Sequence, residues 1–209
     1  MYDYHTSAEE CAAFARQLGW KGIVLLSVPE DLHKAGEKDI VPGLLIESGR
    51  IADVQKLLAK HRKDAVIIAA KGGDVELNRQ LFSLPRLDIV SGVSSTQNMD
   101  YVMCRTAREN GVAVEFAFSD LLHSFGKSRA EMLANMKRSA ALVRKEKSPF
   151  VLVSSALSKW DMRSPHDMIV FGRTLGFGDK EIKTALSSRL IDDNMKKISG
   201  NKFGNMERL

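Results

Sequence analysis

The sequence predicts an α/β fold of TIM-barrel-like type, an irregular barrel of βα repeats with about seven parallel strands. Short apolar runs alternate with helical patterns almost from the first residue. Most of these runs are continuous Val/Ile/Leu stretches, as in parallel strands covered on both faces. No GxGxxG or P-loop follows any of them, which argues for barrel closure over an open nucleotide-binding sheet.

The predicted strands cover residues 2–5, 22–26, 41–46, 65–69, 87–90, 112–116 and 150–153. Ser7 with Glu10 is a capping box that opens a helix stopped by Gly19. A second helix covers 51–62, with Ile51, Val54, Leu57 and Leu58 on one stripe. Asp74 is placed to cap a helix after the fourth strand. A helix over 99–110 ends at Gly111, a suitable left-handed cap. The longest helix covers 129–147, and its last residues, Arg144-Lys145-Glu146-Lys147, place cations where the macrodipole favours them. Ser164 caps a helix over 165–175 that stops at Gly176, and two more helices cover 180–187 and 190–199. Residues 27–39 break the rhythm with Pro29 and Gly36 and show no helical stripe. One domain over 1–199 with a fraying tail at 200–209 follows.

Composition excludes several classes. Apolar residues at 44% and charged residues at 27% are ordinary globular usage. No stretch approaches the roughly 20 apolar residues that span a bilayer, and no signal peptide opens the chain, so a cytoplasmic location is expected. Cys11 and Cys104 both fall in helical patterns and read as buried free thiols. Net charge is +5, unevenly spread. Residues 1–100 hold 12 Lys and Arg against 14 Asp and Glu, whereas 101–209 hold 19 against 12. The basic excess of the second half invites a polyanionic partner.

Ligands of such barrels meet the loops at the C-terminal ends of the strands. Asp3 and His5 share a face of the first strand and could bind one metal ion, like the opening motif of PHP-type phosphoesterases. Only Glu47 and Glu115 are placed to add ligands, so a hydrogen-bonded structural pair is the better reading. In Lys71-Gly72-Gly73-Asp74 the glycines free the backbone, but Asp74 at the helix start repels an anion. The segment is a tight turn, with Lys71 at most a phosphate contact. His166 lies near Ser154 and Ser155 in sequence but has no third group, so no triad is assigned. The 154–167 loop combines hydroxyls, Lys159, Trp160 and Arg163, a set suited to phosphate and sugar contacts. A tryptophan in such a loop packs more often than it stacks, so Trp160 is expected to be partly buried.

Ser154-Ser155-Ala156, followed by Asp161-Met162-Arg163-Ser164-Pro165-His166-Asp167, resembles the SSA…DLRSPxDL signature of the RNase P protein component 3 family. Val112-Ala113-Val114-Glu115-Phe116-Ala117-Phe118-Ser119-Asp120-Leu121-Leu122 resembles that family's VAIEFSLSxLL block, and the likeness runs over about residues 99–197. Before the second block the chain departs from the pattern. It carries Asn98-Met99-Asp100-Tyr101 where members have Gly-apolar-Asn-His, and Ser94-Ser95-Thr96-Gln97 in place of basic residues.

The resemblance implies a barrel-like ribonuclease P subunit that pairs with protein component 2, alongside other RNase P proteins. It implies binding to the catalytic RNA, and so to precursor tRNA indirectly, in support of 5′-leader removal. It also implies no catalytic residue, metal or cofactor in this chain, with Mg2+ belonging to the RNA. On that match Lys159, Arg163, Lys183 and Arg105 are the expected RNA contacts. Lys71, Arg79 and Arg129 are added from position and charge. The alternative from the residues is a PHP-like metal-dependent phosphoesterase using Asp3 and His5.

Overall fold

The computed structural model describes residues 8–29 and 39–203. Six strands, β1 (Ile23–Ser27), β2 (Ile40–Ile46), β3 (Ile67–Lys71), β4 (Ile89–Ser91), β5 (Ala113–Ala117) and β6 (Phe150–Val153), pair in sequential order. Every pairing is parallel. The sheet curls into a half-barrel, a TIM-barrel-like arrangement. The predicted first strand at 2–5, with Asp3 and His5, lies outside the described residues, as do Ser7 and most of the irregular 27–39 segment.

Helices connect successive strands from β2 onward. They are α2 (Ile51–His61), α3 (Val75–Phe82), α4 (Tyr101–Asn110), α5 (Phe118–Leu122) and α6 (Gly126–Glu146). After β6 come a 3-10 turn (Lys159–Asp161), α7 (Pro165–Leu175), α8 (Asp179–Ala185) and α9 (Arg189–Phe203), while α1 (Ala8–Gln17) precedes β1. Alternate strand residues feed two cores, as the two-residue period of a strand requires. On one face Leu44, Ile46, Ile68, Ala70, Val90, Val114 and Phe116 pack with Val54, Phe82, Met103, Met136 and Phe171 of the helices. On the other face Ile67, Ala69, Ile89 and Ala113 meet Leu190, Ile191 and Ile198 of α9. The strands are therefore covered twice, which accounts for their continuous apolar composition.

Helix α1 touches β1, β2 and the 3-10 turn that follows β6, so the two edges of the sheet approach one helix. Helix α9 is fixed by a polar cluster at the starts of the strands. Asp88 Oδ2 accepts from Arg62 Nη1 at 2.6 Å and from Ile68 N at 2.7 Å, and its Oδ1 accepts from Asn194 Nδ2 at 2.8 Å. Asn194 also donates to Val66 O at 3.0 Å.

The helix ends follow local chemistry. Asp74 accepts from Leu77 N, and Ser164 and Asp167 form a capping box with Pro165 in the first turn. Gly111 and Gly176 close α4 and α7 in the left-handed conformation. Two ends differ from expectation. Helix α6 starts three residues early, at Gly126, and α9 continues to Phe203, four residues past the anticipated end. The start of α6 carries no side-chain cap, so nothing in the local sequence marks it.

Candidate nucleic-acid interface

Because every strand is parallel, all the loops that follow the strands lie at one end of the sheet. Lys71, the last residue of β3, pairs with Glu47 beyond β2 at 2.8 Å, with both side chains more than half exposed. The turn behind it is built for compactness. A Cβ on Gly72 would lie 2.3 Å from Val93 Cγ1 and 2.8 Å from Asn78 Oδ1. Gly73 exchanges hydrogen bonds with the Asn78 amide, at 2.8 and 3.2 Å. The Gly-Gly segment is thus an ordinary turn, its glycines required by close approach rather than by an anion.

The loop after β6 is held from within. Asp161 Oδ2 accepts from the backbone N–H groups of Leu157 (3.2 Å) and Ser158 (3.1 Å). Arg163 Nη1 donates to the carbonyls of Trp160 (3.0 Å) and Met162 (2.9 Å), and its guanidinium lies 5.0 Å from the centre of the Phe118 ring. The Arg163 carbonyl accepts from Trp20 Nε1 at 2.8 Å, which ties the loop to the segment after α1. Lys159 Nζ stands 5.3 Å from the Trp160 ring centre and 3.8 Å from Glu10. Trp160 itself is 73% exposed, which corrects the expectation that it packs. The short turn around it lifts the indole off the body, where an edge-to-face contact with Phe14 and the Lys159 ammonium reach it.

Beneath this loop lies Glu115, on the α9-facing side of β5 and only 7% exposed. It accepts from Ser155 Oγ at 2.8 Å, and Ser155 has a left-handed φ of 45°. Desolvation pushes the Glu115 carboxyl up to about 7, against the hydrogen bond from Ser155. Asp120, in α5, is also raised by desolvation, against a hydrogen bond from Ser95, and its buried Oδ2 has no hydrogen-bond partner among the described residues. Glu47 is taken by Lys71 and Glu115 by Ser155. Among the described residues no three His, Cys, Asp or Glu side chains are grouped to hold a metal ion.

The remaining predicted contacts divide between two regions. Arg129, in the first turn of α6, donates to Ser124 O at 2.7 Å and lies 5.2 Å from the Phe125 ring centre, so it joins the strand-end loops. Arg79 of α3 pairs with Asp100, the N-cap of α4, at 2.9 Å. Desolvation raises the Asp100 carboxyl, but hydrogen bonds from Met103 and Arg79 outweigh it and hold the group below its usual range. Arg105 of α4 sits 3.8 Å from Glu146, the final residue of α6, toward the opposite end of the sheet. Lys183 is exposed on α8, one turn beyond Asp179. The structure therefore gathers Lys71, Arg129, Lys159 and Arg163 at the strand ends and separates Arg105 and Lys183 from them. The thiols divide too: Cys104 is buried, but Cys11 is only partly so.

The profile of the family described as RNase P subunit p30 matches residues 2–198 of the chain. The chain belongs to this family. Among curated relatives, ribonuclease P protein component 3 of Methanosarcina mazei is 30% identical over 197 residues, covering 89% of this chain and 82% of that protein. The Methanothermobacter thermautotrophicus protein of the same name is 29% identical over 200 residues, covering 88% and 82%. A chain in a cryo-EM structure of archaeal ribonuclease P with mature tRNA shares the fold. It has a TM-score of 0.73 and 24% identity, covering 92% of this chain and 86% of that one.

Within this p30-family chain, Phe125, Leu157 and His123, none of them among the contacts expected from the sequence, share the strand-end loops with Trp160. Phe125 and Leu157 are 74% and 75% exposed. His123 Nε2 lies 3.6 Å from Asp161 Oδ2. A bulky apolar residue beside Lys127 and Arg129 in a loop would have flagged Phe125. The His123–Asp161 approach joins residues too far apart in sequence to be read from it. Among the described residues no helix is long and apolar enough to cross a membrane.

Proposed function

We propose that this chain is a ribonuclease P subunit of the component-3 kind that binds the catalytic RNA through its strand-end loops, in company with a component-2 protein. The single observation that carries the reading is the placement of Lys71, Arg129, Lys159 and Arg163 at one end of a parallel sheet. Cations fixed on rigid loops suit a phosphate chain, which binds chiefly by charge. Arg163 has a second task, since its Nη1 staples the loop that carries Lys159. The chain supplies contacts and no reacting group, and divalent ions belong to the RNA. It works in the cytoplasm on precursor tRNA only through that RNA.

The test is a salt titration of binding to the catalytic RNA. Each lost phosphate contact reduces the slope of log K against log salt by about one. Lys159→Ala is expected to do this, while Lys183→Ala, on the separate α8 surface, leaves the slope unchanged. The reverse result would move the interface to the helical flank. Reconstitution with catalytic RNA, component 2 and precursor tRNA should show faster leader removal when the chain is added. No change in rate would refute the assignment.

A further inference from the structure

We propose that Trp160, with the pocket beside it, is a stacking subsite for one unpaired base of RNA. The proposal rests on the RNA-binding reading and narrows it from phosphate contact to the face of a base. The indole is 73% exposed, yet it is borne on a turn fixed by bonds to Asp161 and by Arg163 Nη1 on the Trp160 carbonyl. Its exposure is thus built in, and the ring is pre-organised to receive a planar partner. Its neighbours in the same loop, Leu157, Ser158 and Asp161, line with His123 an open pocket of about 370 Å³. Leu157 offers apolar surface there, while the half-exposed imidazole of His123 and the Ser158 hydroxyl can bond the edge of a base.

Charge selects a nucleic acid over an apolar protein helix. The exposed rings of Phe125 and Trp160 each have a cation 5.2–5.3 Å from the ring centre, namely Arg129 and Lys159, while Arg163 lies 5.0 Å from the ring of Phe118, which packs against the core. Aromatic platforms interleaved with cations are what single strands use, with the rings taking the bases and the cations the phosphates. A duplex cannot fill this subsite, because its bases are stacked on one another and their faces are hidden.

The test uses the full chain with a 12-nucleotide oligouridylate and a duplex of equal length. Trp160 is one of only two tryptophans, and the other, Trp20, donates its Nε1 proton to Arg163 O. Single-stranded RNA is expected to quench the fluorescence of the chain more than the duplex does, and Trp160→Phe should abolish that quench while binding stays within about threefold. Trp160→Ala should weaken single-strand binding roughly 5- to 150-fold, the loss of one base stack, with an unchanged salt slope.

Unaltered binding in Trp160→Ala, with RNA still bound, would overturn the subsite and leave the phosphate interface standing. A failure of the intact chain to bind either RNA would overturn both. A Trp160 response to the component-2 protein but not to RNA would make this surface a protein interface and also overturn the proposal.

Discussion

Asp88→Ala should be among the most damaging single changes outside the apolar core. The Asp88 side chain is 8% exposed, and its carboxylate accepts from three donors at 2.6–2.8 Å. One is the Arg62 guanidinium, whose side chain is 16% exposed. Removing one member of a buried ion pair costs about 3–5 kcal/mol, chiefly because the other charge stays buried. Arg62 keeps the carbonyls of Ala65, Val66 and Arg86 as acceptors, which argues for the lower part of that range. The Ile68 N–H and the Asn194 amide then lose partners, at about 1–3 kcal/mol for each donor left unsatisfied. These terms overlap, and a total of about 4 kcal/mol is expected, against the roughly 5–15 kcal/mol that holds a domain together. Urea unfolding should show a lower midpoint with the slope unchanged. Because Asn194 is the polar tie of α9 to the sheet, amide exchange should rise more in 190–198 than in α4. A loss below about 1 kcal/mol, or equal acceleration in both helices, would refute the idea that this cluster anchors α9.

Glu115→Gln should change the pH dependence of stability. With the folded carboxyl at about 7 and a reference value of 4.5, the folded state holds the proton more tightly, so stability falls as pH rises from about 4.5 to 7. The neutral variant should flatten that decline and gain about 1–3 kcal/mol at pH 8, as read by urea midpoints across the range. A variant less stable than the parent at pH 8 would contradict this. Gly72→Ala should cost about 1–3 kcal/mol in thermal unfolding, because the new methyl meets Val93, Asn78 and the Ser91 carbonyl within 3.1 Å; an unchanged midpoint would mean the turn can open. Alkylation at pH 7.5 followed by mass spectrometry should modify Cys11 slowly and spare Cys104, whose thiol burial pushes up to about 12; rapid labelling of Cys104 in the folded chain would count against its burial.

The βα rhythm was legible because each signal is local. Continuous apolar runs, Asp74 and Ser164 as caps, and Gly111 and Gly176 as stops are read from neighbouring residues, and the structure places all four at helix ends. Strand windows such as 65–69 slipped by two residues, to Ile67–Lys71, because Ala65 and Val66 are as apolar as the strand but precede the ladder with β2. The 154–167 loop and its cations were also visible in the sequence, as a composition suited to phosphate. What each cation does was not. Arg163 spends Nη1 on its own loop, and Arg79 is taken by Asp100.

The sequence by itself determined the βα order, the helix caps, the family resemblance and the basic second half. Only the tertiary structure decided which side chains meet. It laid α9 against the sheet face away from the other helices, set Glu115 under Ser155 and stood Trp160 clear of the body. The physical reason is range: caps and periodicity act within a turn or two of chain, whereas Asn194 and Val66, or Ser155 and Glu115, are brought together only by the curl of the sheet.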